Sequence, residues 1–172
     1  LAHQLIDTFP PGPFDLLTAY AQTIPVVIIA RLLGVPESMK DQLLGWSHAM
    51  VAMYQASRTR ATEDAAAAAS AEFSAFLRDY VDERRARPGD DLITSLIQAE
   101  EAGEKLSTDE LITTCILLLN AGHEATVHAI ANGTKALLQA GGPKDWLAPD
   151  TIDATIEEML RFDPPLHMFT RW

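Results

Sequence analysis

Apolar residues along this chain recur at spacings of three and four, and the interruptions fall at Gly, Pro and acidic residues. Such a pattern predicts helices through most of the chain. "PPGPFDLL" reads as a turn entering an apolar segment. Pro36 opens "PESMKDQLLGWSHAMVAMYQ", with proline at the first helical position and acids in the first turn. In "ATEDAAAAASAEFSAFLRDYVDERRARPG", Phe73, Phe76, Leu77, Tyr80 and Val81 form an apolar stripe at i, i+3, i+4 spacing. The alanine run of that tract suits a solvated or loosely packed face. "RPGDD" makes a turn whose aspartates cap "LITSLIQAEEAG". "IPVVIIARLLGVP" fits two readings: its β-branched centre suits a short strand, while Ala30-Arg31-Leu32-Leu33 before Gly34 suits a helix C-terminus. No internal repeat and no linker divides the chain, which predicts a single domain across residues 1–172.

The most informative element follows Ser107. Ser107 and Glu110 make a capping box, each side chain satisfying an orphan amide at a helix start. Nothing then breaks the helical pattern until Gly141-Gly142-Pro143. A helix over about 107–140 would be on the order of 50 Å long at 1.5 Å per residue, and its first half is apolar nearly all round. Such a helix should cross the centre of a larger body. A last helix over about 150–162 ends at Asp163-Pro164-Pro165, and the short extended segment "LHMFTRW" follows it.

Charge and cysteine usage narrow the function. The formal net charge of −11 argues against nucleic-acid binding, which needs a basic face to neutralise phosphates. A single cysteine, Cys115, rules out an intrachain disulfide and suits the cytoplasm. The longest apolar runs fall far short of the roughly 20 residues a membrane span needs. The chain opens on Leu1 rather than Met and closes on Trp172 just past the Pro-Pro turn, the expected appearance of a segment of a longer protein.

Within the long helix, "NAGHEATVHA" invites comparison with a zinc-protease motif. The zinc motif places two histidines at i and i+4, about 40° apart on one face. His123 and His128 are five residues apart, about 140° round the helix, and cannot both face one ion. They are expected to be bystanders. The same wheel puts Ala121, Gly122, Ala125 and Ala129 within an arc of about 100°, with Gly133 at its edge. That face carries almost no side chain, and Glu124 and Thr126 lie beside it. Two readings are open: close helix–helix packing, or a flat ligand against the bare face with a proton-handling pair alongside.

Taken together these segments resemble the bacterial cytochrome P450s. "AGHEAT" resembles that family's central-helix signature of Ala-Gly, any residue, an acid, then Thr and Thr or Ser. "EEMLRFDPP" resembles its Glu-x-x-Arg helix, here Glu158 and Arg161, with the Pro-Pro turn after it. Arg171 stands ten residues beyond Arg161, where the family has an arginine that pairs with a haem propionate. "FDLLTAYAQTIPVVIIARLLGVP" and "RPGDDLITSLIQAEEAGEKLSTDELITTCILLL" are also similar to the family, so the resemblance covers nearly the whole chain. It makes "PVVIIA" a helix.

The resemblance implies a mainly α fold, the central helical part of the cytochrome P450 fold, as one partial domain. It implies haem held by a cysteine outside this chain, because the family's ligand loop lies after the Glu-x-x-Arg helix; Cys115 sits on the distal helix and reads as a small buried hydrophobe. Ala121, Gly122 and Ala125 would leave room over the haem, and Arg171 would bind a propionate bidentately. Glu124 would deliver protons. The family's threonine after the acid is Ala125 here, so Thr126, one position on, is the candidate replacement. Leu117, Asn120, Leu166, His167, Met168 and Phe169 would line the substrate pocket or the haem edge. Glu158 and Arg161 would be a buried structural ion pair. The implied activity is monooxygenation of an apolar small molecule with electrons from a ferredoxin-type partner, in the cytoplasm, with this chain inactive alone. The alternative is a non-enzymatic acidic helical module that binds a partner or apolar ligand.

Overall fold

The computed structural model describes residues 1–101 and 106–167, and every regular element among them is helical. The helices are α1 (Ala2–Ile6), α2 (Thr23–Leu33), α3 (Lys40–Val51), α4 (Arg60–Ala86), α5 (Leu92–Glu101), α6 (Thr108–Gln139) and α7 (Ile152–Phe162). The backbone groups into two compact units, residues 26–122 and residues 1–25 with 123–172.

In the unit of residues 26–122, "PVVIIA" is helical and sends Val26, Val27, Ala30 and Leu33 inward. The stretch after Pro36 is less uniform than its pattern predicts. A 3-10 turn at Glu37–Met39 precedes α3, and another at Ala52–Tyr54 follows it. α3 packs on α4 through an aromatic ladder: Trp46 stacks on Phe73 at 4.9 Å, tilts against Phe76 at 5.6 Å, and Phe76 stacks on Tyr80 at 5.8 Å. The Trp46 indole N–H donates to Glu72 at 2.9 Å, so the ring is buried without stranding its polar atom. The α4 stripe forms as its spacing requires, with Phe73, Leu77 and Val81 fully buried.

A polar clasp ties three elements of this unit. Gly34 ends α2 at φ +80°, and its carbonyl accepts from the Tyr80 hydroxyl and, at 2.8 Å, from Arg84. Arg84 also donates to the Tyr80 oxygen at 2.7 Å, and its Nε lies 2.9 Å from the Asp91 carboxylate, whose side chain is 4% exposed. Asp91 in turn caps α5 by accepting from the Thr94 N–H at 2.8 Å. Burial pushes the Tyr80 hydroxyl pKa up, so it stays a donor.

α6 begins on the expected capping box: Glu110 N–H donates to Ser107 Oγ at 3.3 Å and Ser107 N–H donates to Glu110 at 2.8 Å. Those hydrogen bonds hold the Glu110 carboxyl below its usual range. The helix runs for 32 residues and stops where Gly141 and Gly142 take positive φ, with Gly142 N–H bonding back to Leu137 at 2.8 Å. In the unit of residues 1–25 and 123–172, α7 lies against the last third of α6. Gly133 leaves room for the terminal methyl of Met159, which a Cβ there would displace. Asn132 donates to the Asp163 carbonyl at 3.2 Å, and Lys135 lies 3.5 Å from the Asp163 carboxylate. Phe9 packs on Phe14 and edge-on to Tyr20 in the same unit.

The clasp generates a stability prediction. A Cβ at Gly34 would lie 2.3 Å from the Asp91 carboxylate and would sit on a left-handed backbone. Gly34→Ala should cost about 2 kcal/mol or more in urea unfolding, from strain and the displaced Asp91 together. A change below half that would show that the clasp does not constrain the α2 terminus.

Candidate functional site

The site expected from the sequence lies on α6, and the helix sorts its residues by side. Leu111, Ile112, Cys115, Ile116, Leu119, His123 and Val127 are all at most 9% exposed and share one broad arc. Gly122 and Gly133 fall on that arc too. A Cβ on Gly122 would lie 3.0 Å from Ile29 Cδ1, so this glycine serves close packing against α2. Gly122 was expected to leave space for a ligand; its missing side chain instead faces a neighbouring helix.

The opposite arc is open. Leu117 is 63% exposed, Leu118 is 36% exposed, and Ala121 and Ala125 are also exposed. One turn repeats into the next at 117, 121 and 125, giving an apolar strip of low relief that a flat apolar group could lie against. Gly122 thus meets Ile29 on one side of the helix, and Leu117, Ala121 and Ala125 stand exposed on the other.

Asn120 and Glu124 sit at the border between the arcs. The Asn120 amide N–H₂ points at Met50 Sδ at 3.9 Å, and its buried carbonyl oxygen accepts no hydrogen bond. Glu124, with its side chain 25% exposed, has one carboxylate oxygen 3.8 Å from His123 Nδ1 and the other 3.5 Å from His128 Nε2. The two histidines diverge as their spacing required, His123 buried and His128 with 52% of its side chain exposed. Both nevertheless lie close to Glu124. The i, i+4 relation of Glu124 to His128 was visible in the sequence and is the signal that could have found the pair. Thr126 is exposed and lies about 160° round the helix from Glu124, so helical geometry does not bring acid and hydroxyl to one face.

The Glu158–Arg161 pair forms in bidentate fashion, with Arg161 donating to both carboxylate oxygens at 2.7 and 2.6 Å. Those bonds hold the Glu158 carboxyl below its usual range and raise Arg161. Its burial was expected, and here the side chains are 59% and 69% exposed, because no described element packs over that side of α7. As an exposed i, i+3 pair it adds little to stability. Beside it an apolar groove of about 440 Å³, lined by Ala136, Leu137, Trp146, Thr155, Met159 and Phe162, separates the end of α6 from α7. Leu166 is 62% exposed, and His167 Nε2 lies 3.3 Å from the Asp163 carboxylate. Met168, Phe169 and Arg171 lie outside the described residues.

No family model matches the sequence. A cytochrome P450 from Bacillus subtilis is 36% identical over 176 residues, covering 100% of this chain and 42% of the relative. Vitamin D(3) 25-hydroxylase from Pseudonocardia autotrophica is 40% identical over 158 residues, 90% of this chain and 38% of the relative. A myxobacterial cytochrome P450 solved in complex with myristic acid superposes with a TM-score of 0.83 at 36% identity, covering 93% of this chain and 40% of that one. The chain belongs to the cytochrome P450 family. It carries the central helical part of the P450 fold, with α6 as the long central helix and α7 as the Glu-x-x-Arg helix. It spans about two fifths of the length of the curated P450 relatives it matches. Among the described residues no helix is long and apolar enough to cross a membrane.

Cys115 is the P450 residue whose chemistry the site defines most sharply. It is 0% exposed on the packed arc of α6, and burial pushes its thiol up to about 11. The folded state therefore holds the thiol proton more tightly than the unfolded chain, whose thiol titrates near 8.5. This contribution to stability is fully present below about pH 8.5 and is lost as pH rises toward about 11. Iodoacetamide at pH 8 should leave Cys115 unmodified in the folded protein and label it fully in urea. Labelling of the folded protein at the rate of the unfolded chain would contradict this placement.

Proposed function

We propose that these residues form the oxygen-facing centre of a haem-thiolate monooxygenase that acts on an apolar small molecule. The observation that carries the reading is the exposed strip of Leu117, Ala121 and Ala125 on α6, with Asn120 and Glu124 along its border. A planar macrocycle suits the low relief of that strip, so the residues present fit one face of haem. Leu117, Ala121 and Ala125 would lie against a bound haem, and the chemistry that group would supply is two-electron activation of dioxygen, with one oxygen atom entering a C–H bond and the other leaving as water.

The chain's own residues have defined parts in that reading. Ala121 and Ala125 keep the oxygen side clear. Leu117 supplies apolar contact to substrate, with Asn120 at the border of the strip. Glu124 holds and releases protons at its carboxylate. Thr126 was the candidate for the hydroxyl that Ala125 lacks; since it does not share the acid's face, that hydroxyl is better sought in water or substrate. The iron ligand comes from a cysteine outside these residues, since Cys115 is protonated and buried. This chain alone is accordingly inactive. Leu166, His167, Met168 and Phe169 extend the pocket, Arg171 takes a propionate, and Glu158–Arg161 becomes a covered structural pair once the rest of the domain packs on α7. We read both compact units as parts of one domain. A ferredoxin-type protein supplies the electrons in the cytoplasm.

Two relatives support an apolar substrate class: one is named a vitamin D(3) hydroxylase, and a solved neighbour holds myristic acid. The test needs no substrate. In the full-length, haem-loaded protein, Ala121→Leu should slow carbon monoxide association with the reduced haem by about tenfold or more, because the new side chain fills the cleared volume. Haem content and unfolding temperature should not change. Association at the wild-type rate would mean that Ala121 does not face the haem.

A further inference from the structure

We propose that His128 supplies protons to Glu124, the two forming a short relay along one edge of α6. This rests on the monooxygenase reading above and extends it to a residue outside the Ala-Gly-x-acid signature. The geometry is local and specific. Glu124 and His128 are one helical turn apart, with His128 Nε2 3.5 Å from one Glu124 oxygen, and His123 Nδ1 is 3.8 Å from the other. The two imidazoles differ in access to water: 52% of the His128 side chain is exposed, against 1% for His123. His128 alone of this pair can therefore exchange protons with solvent while touching the acid.

The chemistry asks for such a group. Inserting one oxygen atom and releasing the other as water consumes two protons with the two electrons from the redox partner. Histidine is the side chain suited to exchanging protons with water in the physiological range, which makes an exposed imidazole beside the acid a fitting source. In the relay, protonated His128 gives its Nε2 proton to the Glu124 carboxylate, leaving neutral imidazole and a carboxylic acid. Glu124 then releases that proton toward the oxygen side and returns to carboxylate. His128 recovers its charge from bulk water. With alanine at 125 in place of the usual hydroxyl, refilling Glu124 from its own helix removes one dependence on the missing group.

The experiment uses the full-length haem protein with a ferredoxin and its reductase as electron source and myristic acid as probe substrate. Dioxygen consumption should fall about tenfold in His128→Leu and His128→Gln. The solvent deuterium isotope effect on that rate should rise, while haem content and unfolding temperature stay at wild-type values. A second readout is independent of turnover. In the carbon-monoxide-bound protein with ring-labelled histidine, Glu124→Gln should move the His128 ring resonances at a fixed pH, because the two side chains lie one helical turn apart. Wild-type rates and isotope effects in both His128 variants would overturn the relay, as would unmoved His128 resonances. If the wild-type protein shows no spectrum of thiolate-bound haem, the monooxygenase reading fails and the relay with it. If that spectrum is present and the variants behave as wild type, only the relay falls.

Discussion

A helix of 32 residues is held in place by what it packs against, and among the described residues the fully buried side chains of α6 share one side. The other arrangements on this helix depend on that asymmetry. On the packed arc the side chains are large and apolar, or absent where a neighbouring side chain comes close, as at Gly122 against Ile29 and Gly133 against Met159. On the open arc they are apolar and short at 121 and 125. Asn120 and Glu124 stand on the seam between the packed arc and the open one.

The unit of residues 26–122 shows how such a helix can be given a firm neighbour. α3 and α4 lock through the Trp46–Phe73–Phe76–Tyr80 ladder, and the ladder ends in the clasp of Tyr80, Arg84, Asp91 and Gly34. Each buried polar atom named there has a charged or hydrogen-bonding partner, so the polar cost of burial is met locally. Arg84 is the pivot, bonding a carbonyl, a phenol oxygen and a carboxylate from three elements. Its removal would leave a nearly buried Asp91 charge without its cation.

Much of this was readable in advance, for identifiable reasons. Helix periodicity, the Ser107–Glu110 box and the Gly141-Gly142 stop are local signals, and α6 formed within a residue or two of the expected limits. The helix over 152–162 was likewise legible from its pattern and its Asp-Pro-Pro end, while the helical nature of "PVVIIA" came from resemblance, since β-branched residues alone left strand and helix open. Which residues of the bare arc meet a neighbouring side chain was not readable. That depends on where Ile29 and Met159 arrive, far away in the chain. The exposure of Glu158 and Arg161 was equally hidden, because burial is set by what lies over α7. The five-residue spacing keeps His123 and His128 from sharing one metal ion and leaves His128 one helical turn from Glu124.

The central claim is that the bare strip of α6 faces a haem whose iron is bound by a thiolate from outside these residues. The most direct measurement is the carbon monoxide difference spectrum of the full-length protein, reduced and supplied with haem. The account predicts a Soret band at the position of thiolate-ligated haem, retained in Cys115→Ala. A spectrum without that band, or a band lost in Cys115→Ala while the protein stays folded, would contradict it.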